Sequence, residues 1–230
     1  MTLTDLQPFT TERVWTVEEI PVLTARLSVP EPPSAEDRIS RRIRRYYRLQ
    51  LRAYLRYCES FLLPRAEAEF RAALAASMPL PSFRAELDYV LTYHEGSLLS
   101  LCIRSRESVP QGSARPVWWG DTWDLNDGYP VPLSAFFPPR SGWKRALTAY
   151  AEAELRRREE QDIVHLRSGL RRLLRRHFNP RSYYLTPEGL VFFYPAGSIA
   201  PVAEGVLSFT VPYGELELHT PVEAKEPPPF

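Results

Sequence analysis

The stretch SYYLTPEGLVFFYPAGSIAPVAEGVLSFTVPYGEL (Ser182–Leu216) decides the fold. SYYLT and LVFFYP flank Pro-Glu-Gly, which reads as a hairpin. The second arm is apolar on both faces, so it belongs in the middle of a sheet rather than at its rim. GVLSFTV then supplies another strand, with Leu207, Phe209 and Val211 inward, and Pro212 and Gly214 end it. Between the two strands, Ala200 to Gly205 reads as a helical turn closed by Gly205. Its lone acid, Glu204, reads first as a structural or exposed carboxylate.

The preceding segment, residues 141–178, is helical in pattern. Trp143, Leu147, Tyr150, Ala151 and Leu155 mark one apolar face, and Leu166, Leu170, Leu173, Leu174 and Phe178 mark another. The charged run RRREEQD (Arg156–Asp162) between them is either a break or an exposed continuation. Further upstream, VWWGDTWDL (Val117–Leu125) is a strand that runs into the turn signal Asn126-Asp127-Gly128. Two more strands come earlier still. Phe83, Ala85, Leu87, Tyr89, Leu91 and Tyr93 alternate with polar neighbours. His94–Ser97 turns the chain, and Leu99, Leu101 and Ile103 point inward on the return.

In the first third, Ile39, Ile43, Tyr46, Tyr47, Tyr54, Cys58 and Phe61 fall on one side of a long amphipathic helix, with Arg41, Arg45, Arg48, Arg52 and Arg56 opposite. Ser34 is placed to cap it, with Asp37 completing the cap. Pro64 either kinks this helix or opens a second one, which runs to about Ser77. Residues 11–29 read as a strand or two broken at Pro21. These pieces predict an α+β domain. It has a twisted, mainly antiparallel sheet, with the long N-terminal helix and the helices of the C-terminal half packed on it. One domain over residues 1–220 is expected, followed by a disordered Pro-rich tail, residues 221–230.

Composition narrows the function classes. The chain has 230 residues and a net charge of +1, which argues against a globally basic nucleic-acid binder. Its cations are 27 Arg and 2 Lys. That bias suits phosphate or carboxylate recognition, or it reflects no more than the Arg, Ala and Pro richness of the whole chain. Cys58 and Cys102 lack metal or disulfide spacing and read as reduced, partly buried structural residues. No basic start followed by an apolar run opens the chain, and no window approaches the length of a membrane span. A cytoplasmic protein without membrane insertion is expected.

Motifs for catalysis are missing from the sequence: there is no phosphate-cradling glycine loop, HExxH, paired Cys-x-x-Cys or nucleophile elbow. DTWDLNDG (Asp121–Gly128) fails the calcium-loop spacing and reads as a hairpin turn. His94, His165, His177 and His219 are scattered, so no metal and no cofactor is expected. A catalytic constellation assembled only in three dimensions leaves no local trace. Asp121 sits between Trp119 and Trp123 on the expected inward face and is the candidate buried polar site. An arginine partner is expected there more readily than a catalytic role. Trp118 points the other way, near Arg115, and this pair is the candidate binding surface, unless a helix covers that face too. The runs RRIRRYYR (Arg41–Arg48) and LRRLLRRHF (Leu170–Phe178) could touch phosphates, but their periodicity favours solvated helix faces.

The order of pieces resembles a known family. Asp124, Leu125 and Gly128 are followed by Leu133, Phe136 and Phe137. Tyr183, Tyr184, Leu185, Gly189 and Leu190 come next, and then Ile199 to Tyr213. Together they resemble the RsiV/PdaC-like C-terminal domain, a bacterial domain of unknown function, over about Val22 to Leu216. Relatives form the outer part of an anti-sigma factor or accompany a polysaccharide deacetylase. The family often carries Gly-Gly-Ala-His before the Asp-Leu strand. Here QGSAR (Gln111–Arg115) stands nearest, with Arg115 in place of the histidine, so no role passes over from that histidine. The resemblance implies the fold and a tendency toward binding, not an activity. The expected function is therefore a non-enzymatic binding module for a protein or cell-wall-related ligand. Nucleic-acid binding through the Arg-rich helix faces is the alternative. The oligomeric state stays open.

Overall fold

The computed structural model describes residues 6–32, 37–110 and 116–219. The chain forms two compact units. One is Met1–Tyr89 with Arg104–Pro116, and the other is Val90–Ile103 with Val117–Phe230. Ser34, Arg115 and the tail 221–230 lie outside the described residues.

The first unit starts with a long ribbon, β1 (Gln7–Val17) and β2 (Ile20–Glu31), paired antiparallel. The chain turns at Glu18 and Glu19, both at positive φ, and not at Pro21 as the sequence suggested. Pro21 instead sits inside β2, where the register slips between Trp15 and Thr16. A residue without an N–H fits a ladder there because the irregularity already forgoes a bond. β2 then pairs in parallel with β3 (Phe83–Glu95), Leu23 opposite Phe83 and Leu27 opposite Leu87. Parallel neighbours need a long crossover, and the helices between them supply it.

That crossover is α1 (Arg38–Tyr57), a π-helical turn (Cys58–Leu62), and α2 (Leu63–Ala75). Asp37 caps α1: the Ser40 N–H donates to its Oδ1 at 2.7 Å. The hydrogen bonds from Ser40 hold the Asp37 carboxyl below its ordinary range. A lowered folded pKa means the cap stabilises the fold above the unfolded-state pKa and is lost as pH falls. Asp37→Ala should cost about 1 kcal/mol at pH 7, and the gap to the parent should narrow as pH falls from about 4 down through the lowered folded pKa. Urea unfolding at pH 7 and below about pH 4 measures this; an equal loss at each would remove the charge from the account.

Pro64 resolves as the opener of α2, standing in its first turn where a missing N–H costs nothing. The π turn ahead of it, in which the Leu63 N–H reaches back to the Cys58 carbonyl, adds a residue and rotates the helix face. Cys58, Leu62, Ala66 and Phe70 become the buried row, while Phe61, expected inward, is 68% exposed and stacks on Tyr57. Ile43, Tyr47 and Leu51 continue the row along α1. They join Leu23, Ala25, Leu27, Phe83, Ala85 and Leu87 in this unit's core. Both cysteines are buried, and neither is in a disulfide. Burial, with Glu107 and Glu59 nearby, pushes the Cys58 thiol up to about 12.

In the second unit the expected hairpin turns at Gly96 and Ser97, between β3 and β4 (Leu98–Ser108). The strand order β1-β2-β3-β4 holds in the first unit and β3-β4-β5-β6 in the second, with β5 Val117–Asp124 and β6 Tyr129–Pro130. β7 (Tyr183–Leu185), β8 (Gly189–Tyr194) and β9 (Leu207–Pro212) form a separate antiparallel sheet in that order. β8 is central and wholly buried, as its two apolar faces predict. The outer edge of β9 is occupied by side chains of α3 (Trp143–Glu160). The Tyr150 hydroxyl donates to the Thr210 carbonyl at 2.7 Å, and Arg158 donates to that of Ser208 at 3.3 Å. An edge engaged this way is closed to strand addition.

The run after Leu155 continues α3 to Glu160, so it is not the break. The chain leaves the helix at Gln161, buries Val164, and re-enters as α4 (Leu170–His177) from Gly169 at φ 75°. His165, expected on a helix, lies in this connection. Leu147, Ala151, Leu155, Leu170 and Leu174 pack with Phe192, Phe209 and Val211 in one core. The fold class is thus α+β, mainly antiparallel, with helices packed on sheets. Among the described residues no helix is long and apolar enough to cross a membrane.

Candidate functional site

β5 carries the sequence-predicted residues. Trp123 and Thr122, neighbours on opposite faces, are both buried, so the strand is covered on both sides at this end. What covers the Trp118 side is a sheet rather than a helix. The Trp118 ring meets Phe193 of β8 edge-on at 6.0 Å, and Trp118 is half-buried. Two places along, Gly120 lets the backbones of β5 and β7 approach: a Cβ there would fall on the Tyr183 carbonyl oxygen. Ser100 of β4 pins the same crossing. Its hydroxyl shares a hydrogen bond with that of Thr122 at 2.8 Å and accepts from the Leu185 N–H at 2.9 Å. The Tyr183 hydroxyl donates to the Val131 carbonyl. These hydroxyls are committed to holding strands together. Asp121 is half-buried beside Tyr183. Burial first, and then the Asp121 charge, pushes the Tyr183 phenol above its ordinary range, while a hydrogen bond with Thr122 opposes this.

Glu204 ends a short 3-10 turn (Val202–Glu204) that Gly205 closes at φ 71°. Its Oε1 accepts from the backbone N–H of His165 at 3.1 Å. It therefore secures the connection between α3 and α4, which is the structural role the sequence favours. Among the described residues no group of three or more His, Cys, Asp or Glu is placed to hold a metal.

The arginines separate into balanced and unbalanced sets. On α1, Arg44 and Arg48 reach Glu31 at 2.5 and 2.7 Å, and Arg48 also lies 3.2 Å over the Phe9 ring. Arg65 and Arg71 pair with Glu69 and Glu67. On the C-terminal half of α3, Arg156 pairs with Glu159, and Arg157 and Arg158 share Glu154. The N-terminal half of α3 and the outer face of α4 differ. Burying Leu170 and Leu174 leaves Arg171, Arg172, Arg175 and Arg176 outward. Burying Leu147 and Ala151 leaves Lys144 and Arg145 beside the same groove. Its one acid, Glu152, is engaged by Arg171 at 3.3 Å. Among the described residues Arg145, Arg172, Arg175 and Arg176 make no ion pair, and Arg175 lines each of three neighbouring hollows beside α4, which are together termed the groove.

Guanidinium groups do not release a proton near neutral pH. This surface is equipped to hold anions, not to move protons. The sequence marked the α4 run but read it as a solvated face. The convergence of Lys144 and Arg145 from another helix was missed. Its only trace was their position, three and two residues ahead of the buried Leu147.

No curated protein matches the chain in sequence. Among solved structures it is similar to a member of the DUF3298 family from Bacteroides fragilis NCTC 9343. That likeness has a TM-score of 0.67 and 16% identity, covering 96% of this chain and 95% of that one. It is also similar to a DUF3298 family protein from Pseudomonas aeruginosa PAO1, with a TM-score of 0.53 and 15% identity, covering 92% and 93%. At these identities the likeness is one of fold. Residues 134–214, which contain α3, α4 and all of β7, β8 and β9, match the family model described as protein of unknown function (DUF3298).

Proposed function

We propose that the chain is a non-enzymatic binding module of the RsiV/PdaC-like type, recognising a protein or cell-wall-related ligand that carries negative charge. The observation that supports this reading is the one-sided charge of the α3/α4 groove. Lys144, Arg145, Arg171, Arg172 and Arg175 line it, and its one acid among the described residues, Glu152, is already engaged by Arg171; unbalanced like charges on one face raise the local concentration of an opposite partner. Trp118, half-exposed at the start of β5, is proposed as a separate aromatic contact, since Trp and Arg dominate binding energy where they occur at interfaces.

The test is capture with a tagged chain from cells that produce it, with and without nuclease, alongside co-sedimentation with purified cell walls. A protein or wall ligand retained after nuclease is the expected result. Partners that vanish with nuclease would replace this reading with nucleic-acid binding, and capture of neither kind would overturn it.

A further inference from the structure

Resting on that reading, we propose that the groove between α3 and α4 seats an extended acidic segment of a partner protein, with carboxylates on alternate residues. The argument starts from spacing. Arg171 and Arg175 are one helical turn apart, about 6 Å along the axis, as are Arg172 and Arg176. Alternate side chains of an extended strand repeat every ~6.6 Å on one side. A strand laid along α4 therefore brings successive same-side carboxylates to successive arginines, each suited to a bidentate fork. Lys144 and Arg145 of α3 flank the same path, and Phe178 ends it.

Length and lining favour a protein over a nucleic acid. The eight residues of α4 span about 12 Å, room for about four extended residues. A path of that length meets only about three or four phosphates of one strand, so few counterions are released and the electrostatic gain for a nucleic acid is small. Single-strand binders also present free aromatic faces for bases to stack on. Here the Trp143 ring is stacked on Phe137 at 5.6 Å, with Lys144 5.3 Å from its centre. The Phe178 ring is held against Trp143 and Phe192. The aromatics in the groove are already occupied by one another.

The probe is a fluorescein-labelled peptide of four Glu-Ser repeats, followed by anisotropy at low salt with the full chain. Arg171→Ala/Arg175→Ala should weaken binding about tenfold, the loss of two exposed charge pairs. Arg171→Lys/Arg175→Lys should fall between, because an ammonium keeps the charge but not the fork. Arg41→Ala/Arg45→Ala, which removes equal charge from the first unit, should bind as the parent does. An equal loss in that control would reduce the effect to net charge and overturn the assignment. So would an oligothymidylate of matched charge that outcompetes the peptide. Unchanged peptide binding in the Arg171→Ala/Arg175→Ala variant would overturn the groove alone, because the binding-module reading is decided by capture of a native partner.

Discussion

Gly120→Ala should lower the stability of the second unit by about 3 kcal/mol or more, at or beyond the usual ceiling for overpacking. The added methyl would fall on the carbonyl oxygen of Tyr183, with the carbonyl carbon close behind. Neither is the free end of a side chain, so the strain cannot be relieved by a rotamer change. β5 and β7 would have to part. That movement strains the Ser100–Thr122 hydrogen bond and the bond from the Leu185 N–H to Ser100. Ser100 and Thr122 are 0% and 2% exposed, so a hydroxyl left unpaired there carries a further desolvation cost. Gly96→Ala is the internal comparison. Its φ of 57° makes a side chain unfavourable by roughly 1–2 kcal/mol, but nothing stands within 4 Å of the added methyl. Urea unfolding followed by near-ultraviolet circular dichroism ranks the two. A Gly120→Ala midpoint at or above that of Gly96→Ala would mean the strands yield freely. The close approach would then not be what fixes β5.

Why the strands were legible and their grouping was not follows from the kind of signal each leaves. The apolar run Leu190–Tyr194 needed no partner to be read, because burial on both faces is a property of the run itself. It is the central strand of its sheet. The period of α1 was equally local. The π turn at Cys58–Leu62 was not, since one added residue leaves composition untouched and shifts only the phase. Phe61, read as inward but lying inside that turn, was therefore rotated outward. The parallel pairing of β2 with β3 and the separation of β7, β8 and β9 into their own sheet depend on contacts between distant segments, on which periodicity is silent.

The candidate site divides the same way. Trp118 and Asp121 could be named from alternation along one strand. Alternation could not say that a second sheet stands over Trp118, because that cover arrives through Phe193 from 75 residues later in the sequence. Arg171, Arg172, Arg175 and Arg176 were visible as a run. What sets the run apart is that, among the described residues, Glu152 is the one acid lining the hollows beside it, and that depends on which helix lies alongside. α3 pairs its own arginines with Glu154 and Glu159 at one end and leaves Lys144 and Arg145 uncompensated at the other. A balanced net charge of +1 hides this polarity completely.

Phe192→Ala should cost roughly 3–5 kcal/mol, as a large aromatic removed from a packed core. Phe192 is 2% exposed on the central strand β8. Its ring stacks on Phe209 at 5.2 Å and meets Tyr194 and Phe178 at 6.3 and 6.4 Å. Phe192→Leu keeps most of the volume and should cost less than about 1.5 kcal/mol. Phe61→Ala, at a side chain already in water, should stay within about 0.5 kcal/mol. The consequence reaches the groove through Phe178. That residue follows the last turn of α4 and rests between Trp143 and Phe192. Emptying the space beneath it removes one wall of the contact that seats the end of α4, while every arginine remains. Phe192→Ala should therefore weaken acidic-peptide binding under conditions where the protein is still folded, and Phe192→Leu should restore it. Denaturant titration and peptide anisotropy on the same samples separate the two effects. If Phe192→Ala loses stability but binds the peptide as the parent does, the position of α4 is fixed by Leu170 and Leu174 alone, and the aromatic cluster has no part in shaping the groove.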